Sequence, residues 1–153
     1  KHQDKRNLLW KEYLNLVRTI KPKYFLIENV LGLLTSINKS KKVVENMKSE
    51  FSKIGYNFKY KKIESQLFGV PQIRKRIFII GAKKNINLPD HPKEFVSKHI
   101  TVEEAIKGMP KLSSNDGQLE IKLKMKNVSM YQNWLTKKIS LSKFVKYLKE
   151  NRS

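Results

Sequence analysis

The sequence has no cysteine, few acidic residues and no long apolar run, and each absence excludes a class of protein. Without cysteine these 153 residues hold no disulfide scaffold, no cysteine-ligated metal site and no thiol nucleophile. No window approaches the roughly 18 consecutive apolar residues that a membrane-spanning helix needs, and no signal-peptide pattern is present. Hydrophobic residues make up 39% of the chain, which suffices for the core of one domain. We therefore expect a soluble cytoplasmic protein with no membrane partner and assign no metal site.

The scarcity of acidic residues leaves a large positive charge. Thirty-three Lys and Arg face 13 Asp and Glu, giving a net charge of +20 and a pI near 10.1. Such an imbalance favours a polyanionic partner, most often nucleic acid. The alternative is a lysine-rich composition that reflects codon bias or solubility.

The first 84 residues alternate between helical and strand patterns. Apolar spacing predicts an amphipathic helix over 7–20, stopped by Pro22, and a second helix that begins near Ser40 and stops at Gly55. Strands are predicted for "KYFLIEN", "YNFKYKKIES" and "RIFIIGAKK". Because "KYFLIEN" is almost wholly apolar, it is typical of a strand covered on both faces, as in a parallel sheet. The order predicts an α/β domain whose helices cover the sheet.

The pattern of apolar and polar residues changes after residue 84. "NINLPDHPKEF" is a connector, and "TVEEAIKGMP" is a short helix with Thr101 as N-cap and Glu104 completing a capping box. The alternating "LEIKLKMK" predicts a strand with one wet face. Two amphipathic helices, in "SMYQNWLTKK" and "SLSKFVKYLKEN", end the pattern.

Glu28 and Asn29 stand where the apolar stretch Phe25–Ile27 ends. In open α/β sheets, ligands bind beyond the carboxyl ends of the strands. A carboxyl that emerges from an apolar strand is expected to be partly desolvated, which suits a general acid. The alternative is a glutamate that caps the next turn, in keeping with the surface habit of this residue type.

Gln72, Arg74 and Arg76 alternate immediately before the apolar run Ile77–Ile80. At strand spacing these three side chains share one face. Amide and guanidinium groups match phosphate oxygens and base carbonyls through forked donors that lysine lacks. The alternative is a basic strand edge that discourages aggregation, although lysine would serve that purpose in this lysine-rich chain.

Together, "DKRNLLW", "FLIENVLGLL" and "FGVPQIRKRIFIIG" resemble the cytosine-C5 DNA methyltransferase family. The family's Glu-Asn-Val motif matches residues 28–30, and its Gln-x-Arg-x-Arg motif matches residues 72–76. "TVEEAIKGMP" resembles the segment that leads into the target-recognition region. The resemblance implies a partial Rossmann-like methyltransferase sheet, the C-terminal strands of the catalytic domain, over residues 1–84. Residues 85–153 would form a connector and a small α+β segment that begins the target-recognition region.

The resemblance also implies roles at the target base. Family members flip a cytosine out of double-stranded DNA, attack C6 with a cysteine thiolate and methylate C5. By this resemblance Glu28 would hold and protonate N3, and Arg76 would bind O2. Arg74 and Gln72 would support the flipped nucleotide and the DNA.

The cofactor of the family is S-adenosylmethionine, and its implied site is incomplete here. Leu9 would pack against the cofactor's adenine, while Asn29 and Val30 would shape the loop that faces the nucleophile. The family's Pro-Cys motif, Gly-rich cofactor turn and closing motifs are missing from these residues. We therefore expect a fragment, a truncated product or a piece of a larger assembly that is inactive alone. It would pair with the missing upstream and downstream parts, or with itself, through an unpaired edge of the 24–28 strand.

Two other functions stay open beside a bacterial restriction–modification enzyme. An RNA cytosine-C5 methyltransferase shares the scaffold, but an intact "QIRKR" is more typical of the DNA enzymes. A non-catalytic DNA-binding module or split-enzyme subunit would account for the missing cysteine. However, Glu28 and Arg76 are intact, which argues against a chain that lost its catalytic function long ago.

Overall fold

The computed structural model describes residues 9–38, 41–110 and 128–150, which fall into two compact units. The first unit comprises described residues of 1–64 and 75–93, and the second those of 65–74 and 94–153. The predicted division at residue 84 stays a prediction. In the described part of the chain, no helix has the length and apolarity to cross a membrane.

A three-stranded antiparallel sheet with flanking helices builds the first unit. Its helices and strands are α1 (Leu9–Ile20), β1 (Tyr24–Asn29), α2 (Gly32–Thr35), β2 (Ile37–Asn38), β3 (Lys41–Lys42), α3 (Val43–Lys53), β4 (Tyr56–Glu64) and β5 (Lys75–Lys83). The strand order is β1-β5-β4, with β5 in the centre, and β2 pairs with β3 in a separate ribbon. The sequence predicted a mixed α/β architecture, and the structure confirms it.

The two long helices form where the apolar spacing predicts them. The α1 helix ends before Pro22, whose ring cannot continue a helix. The α3 helix ends at Lys53, two residues before Gly55, which adopts a φ of +85° that glycine tolerates without strain. Its N-cap is Lys42, without a side-chain cap bond, so the predicted start near Ser40 is wrong. Ser40 itself lies outside the described residues.

The β1 strand is covered on one face only, so the predicted parallel, doubly covered strand is wrong. It runs antiparallel to β5, with Phe25 opposite Gly81 and Leu26 opposite Ile80. Phe25 is buried, whereas 58% of Leu26 is exposed. An apolar run of this length does not reveal strand direction, and antiparallel sheets tolerate one solvated face. Among the described residues, β1 pairs along only one of its two edges.

Aromatic rings dominate the core between the sheet and the helices. The Phe25 ring stacks on Phe51 at 4.7 Å between centroids, and Phe51 meets Phe58 edge-on at 5.8 Å. Gly81 lies under this stack, because a Cβ built there would come within 2.1 Å of the Phe25 ring. The missing side chain at Gly81 is therefore what lets Phe25 pack flat against the sheet.

Substituting Gly81 with alanine is expected to lower the free energy of unfolding by about 1–3 kcal/mol, the usual cost of overpacking a core. The Phe25 ring has no free space to move into, because Phe51 and Tyr56 pack against it. Urea denaturation followed by circular dichroism measures the change. Gly32→Ala is the matched control, since its nearest contact is 4.0 Å away. Equal stability of the two variants would contradict the packing argument.

The second unit consists of short helices around its own aromatic core. Its elements are a 3₁₀ helix (Ser65–Phe68), α4 (Val102–Ile106), α5 (Met130–Leu135) and α6 (Leu141–Glu150). Thr101 and Glu104 form the predicted capping box at the start of α4. Trp134 stacks on Phe144 with centroids 4.8 Å apart. Both C-terminal helices are confirmed, and the predicted strand in "LEIKLKMK" lies outside the described residues.

Candidate active site

Glu28 and Arg76 form an ion pair at one end of the sheet. The Arg76 Nε lies 2.9 Å from Glu28 Oε1. The Arg76 guanidinium also donates to the Lys75 carbonyl at 2.9 Å, which fixes the arginine against its own strand. Two motifs that lie 48 positions apart in the sequence are therefore joined by a charged contact.

The antiparallel register explains why these two side chains meet. Glu28 stands opposite Phe78, so Arg76 is its diagonal neighbour on the same face of the sheet. The end of β1 and the start of β5 coincide there because the strands run in opposite directions. Diagonal neighbours lie within reach of long side chains, and glutamate and arginine span the gap.

The pair is open to solvent. The Glu28 side chain is 43% exposed and that of Arg76 is 25% exposed. The Glu28 side chain is thus partly covered, and the expected partial desolvation of its carboxyl stays a prediction. The carboxylate reaches sideways to Arg76 of β5, and the alternative of a turn cap stays a prediction.

Gln72 and Arg74 do not extend the strand that carries Arg76. Strand β5 begins at Lys75, and residues 71–74 form an irregular segment that belongs to the second unit. Ser65 anchors this segment by donating its N–H to the Arg74 carbonyl at 2.9 Å and its hydroxyl to the Gln72 carbonyl at 2.6 Å. The predicted row of three side chains on one strand face is therefore wrong. Proline at position 71 has no N–H to donate to a ladder, and β5 starts only at Lys75.

Asn29 and Val30 shape the turn that follows β1. The Asn29 Oδ1 accepts the Val30 N–H at 2.8 Å, and the Val30 carbonyl accepts the N–H of Leu33 at 3.1 Å. Strand alternation directs Asn29 to the face of β1 opposite Glu28. The side chains of Glu28 and Asn29, neighbours in one motif, therefore lie on opposite faces of the sheet.

A pocket of about 530 Å³ lies on the Asn29 side of β1. Its walls include Leu9, Asn29 and Val30, so three residues singled out from the sequence share one pocket. The other lining residues are mainly apolar, and they are Trp10, Tyr13, Ile27, Gly32, Leu33, Ser36 and Met47. Glu28 and Arg76 are not among the lining residues. The structure thus separates five of the sequence-predicted residues into an ion pair and a pocket.

Tyr13 and Trp10 are pocket residues that the sequence reasoning missed. The Tyr13 hydroxyl donates to the Leu26 carbonyl at 3.1 Å, which ties α1 to β1. Burial raises the pKa of Tyr13 above its usual value, against the opposing effect of this hydrogen bond. The Trp10 indole Nε1 is buried and has no hydrogen-bond partner among the described residues. In a sequence, aromatic residues on the apolar face of a helix look the same whether they fill a core or line a pocket. The pattern therefore gave no sign that these two line a pocket.

Comparison with known proteins identifies the family of this arrangement. A model of the C-5 cytosine-specific DNA methylase family matches residues 1–153. The chain belongs to this family. The type II methyltransferase M.DdeI of Desulfomicrobium norvegicum is 34% identical over 121 residues, covering 75% of this chain and 29% of that protein. M1.HphI of Haemophilus parahaemolyticus is 36% identical over 116 residues, covering 76% and 30%.

A solved structure agrees with the fold of this C-5 cytosine methylase chain. An E. coli protein, described as a DNA modification methyltransferase encoded within a prophage, superposes with a TM-score of 0.54 at 29% identity. The match covers 71% of this chain and 32% of that protein. The methylase chain thus spans about a third of the length of the relatives it matches, and its architecture is a partial methyltransferase fold.

Proposed function

We propose that this chain is the central part of a DNA (cytosine-5)-methyltransferase and that Glu28 and Arg76 hold the flipped-out target cytosine. The observation that carries the proposal is the 2.9 Å contact between the two side chains at the end of the sheet. A carboxyl group and a guanidinium at this spacing match N3 of cytosine and O2, the oxygen on the neighbouring carbon C2. The proposal also rests on membership of the family.

The two side chains divide the work on the base. Arg76 donates a charged hydrogen bond to O2, and such bonds are roughly twice as strong as neutral ones. Glu28 hydrogen-bonds N3 and, in its protonated form, gives its proton to that atom and becomes the carboxylate, which makes C6 electrophilic. Both side chains are partly exposed, 43% for Glu28 and 25% for Arg76, so a base can approach them.

The nucleophile and part of the cofactor site must come from outside these residues. No cysteine is present to attack C6. S-adenosylmethionine, the methyl donor that the family implies, supplies the methyl group when bound. Leu9 and Trp10 fit the adenine ring of this cofactor, because the pocket they line is mainly apolar and large enough for a small ligand. The lining residues include no acid, so they fit this part of the cofactor only.

The partners that follow are double-stranded DNA and the remaining parts of the enzyme. The net charge of +20 favours contact with phosphates. The edge of β1 that pairs with no other strand of the described residues offers backbone donors and acceptors to another strand. We propose that an upstream part of the enzyme, or a second copy of the chain, pairs there. A bacterial restriction–modification system is the proposed setting.

Completing the chain with parts that carry the Pro-Cys motif and the Gly-rich turn is expected to produce methyl transfer to duplex DNA. The chain alone is expected to produce none, because it lacks the thiolate. Incorporation of tritiated methyl groups from S-adenosylmethionine into DNA measures the activity, with transfer RNA as the comparison substrate. Preferred labelling of the RNA would support the RNA branch instead. DNA binding without transfer in the completed protein would support a non-catalytic module.

A further inference from the structure

A second pocket, of about 480 Å³, lies at the other end of the same sheet. Four cationic side chains line it, and they are Arg18, Lys21, Lys83 and Lys84. Its remaining lining residues are Ile54, Gly55, Tyr56 and Asn85, and none is acidic. Along β5 it lies about 20 Å from Arg76, at roughly 3.3 Å per residue. It is therefore separate from the candidate active site.

The backbone at this end holds the cations in place. The Lys84 N–H donates to the Gly55 carbonyl at 2.9 Å, and the Lys83 N–H to the Lys23 carbonyl at 3.1 Å. Lys21 adopts a φ of +52°, an uncommon conformation for a residue with a side chain. Tyr56 is buried, and its hydroxyl donates to the Pro22 carbonyl at 2.6 Å. These hydrogen bonds fix the backbone positions from which the lysine side chains extend.

These cations have no acidic partner within reach in the described part of the chain. None of the four forms an ion pair there. One of the four, Arg18, interacts electrostatically with Glu50. The pKa of Glu50 is lowered first by a hydrogen bond from Lys53 and less by Arg18. The 2.7 Å contact with Lys53 already neutralises that carboxylate.

The partial charge at a helix end explains the position of only two of these four cationic residues. Arg18 and Lys21 stand at the C-terminal end of α1, where partial negative charge favours cations. Lys83 is the last residue of β5 and Lys84 follows it, and sheets have only a small net dipole. Bringing two more positive charges to this point raises the repulsion among them, which a bound anion relieves.

We propose that this pocket binds a phosphate group, carried by a nucleic acid backbone or by a free nucleotide. Ammonium and guanidinium groups suit phosphate oxygens, and the volume exceeds that of a single phosphate. Ile54, which is only partly buried, supplies apolar surface for the remainder of a nucleotide. The proposal does not depend on methyl transfer or on Glu28, so it stands or falls separately from the proposed function.

Titration of the 153-residue chain with inorganic phosphate, at an ionic strength matched with chloride, tests the site by amide NMR. Shifts are expected to concentrate on residues 18–21, 54–56 and 83–85, and to be lost in the double variant K83Q/K84Q. The arginine variant K83R/K84R is expected to retain them. The charge-matched control K48Q/K149Q removes two exposed lysines from α3 and α6 and is expected to change nothing. Shifts spread evenly over the lysines, or retained in K83Q/K84Q, would overturn the proposal.

Anisotropy of a labelled 20-base-pair duplex distinguishes the two sources of phosphate. If the backbone of DNA occupies the pocket, K83Q/K84Q is expected to reduce the slope of log affinity against log salt by about 1 to 2, the value for one or two phosphate contacts. The control pair would leave the slope unchanged. An unchanged slope in K83Q/K84Q, together with localised shifts from phosphate and adenosine monophosphate, assigns a free nucleotide. Equal slope changes in both pairs would mean only a diffuse positive field.

Discussion

In the completed enzyme, Glu28→Gln is expected to slow methyl transfer by about 100-fold or more, the usual scale for the loss of a general acid. Glutamine keeps the size of the side chain and its reach toward Arg76, but it has no acidic proton for N3. Binding of DNA and cofactor is therefore expected to change little. Single-turnover transfer, measured at saturating DNA, separates the chemical step from binding.

Glu64→Gln is the matched control for this substitution. Glu64 also ends a strand that pairs with β5, and its carboxylate contacts Lys62 at 2.7 Å and Lys75 at 3.4 Å. It has the same chemistry but lies on the other side of β5. Its loss is expected to leave the rate of transfer within a few-fold of the parent. An unchanged rate in Glu28→Gln, or an equal loss in Glu64→Gln, would return Glu28 to a structural role.

Arg76→Ala is expected to weaken capture of the flipped cytosine and to slow transfer by roughly 10- to 100-fold. The estimate follows from the loss of a charged hydrogen bond, worth about 1.5–3 kcal/mol. The substitution also removes the partner of Glu28, so its effect combines two losses. Fluorescence of 2-aminopurine at the target position reports base flipping, and transfer is measured on the same DNA.

The neighbouring Lys75→Ala is the control for Arg76, because its side chain leaves the opposite face of β5 and pairs with Glu64. It is expected to do little. Comparable damage from the two substitutions would mean that the basic run is a general phosphate clamp. In the double variant of Glu28 and Arg76, the losses are expected to be smaller than their sum, since the residues contact each other and act on one base. Additive losses would indicate independent roles.

The sequence alone predicts the parts of this protein that depend on near neighbours. The apolar spacing of α1 and α3, the stop at Pro22 and the capping box of Thr101 and Glu104 were all predicted and are confirmed. Each rests on interactions within one or two turns of the chain, which a local pattern records. The family was evident for another reason, because its motifs are short and specific in residue type.

Only the tertiary structure decides which distant residues meet. The antiparallel pairing of β1 with β5 places Arg76 beside Glu28, leaves Leu26 exposed and directs Asn29 to the pocket that contains Leu9. Alternation along the sequence suggested one continuous strand face for Gln72, Arg74 and Arg76, but β5 begins only at Lys75. Strand direction, register and the first residue of a strand depend on hydrogen bonds to segments far along the chain. A local pattern therefore names the residues of the site, and the fold determines their arrangement.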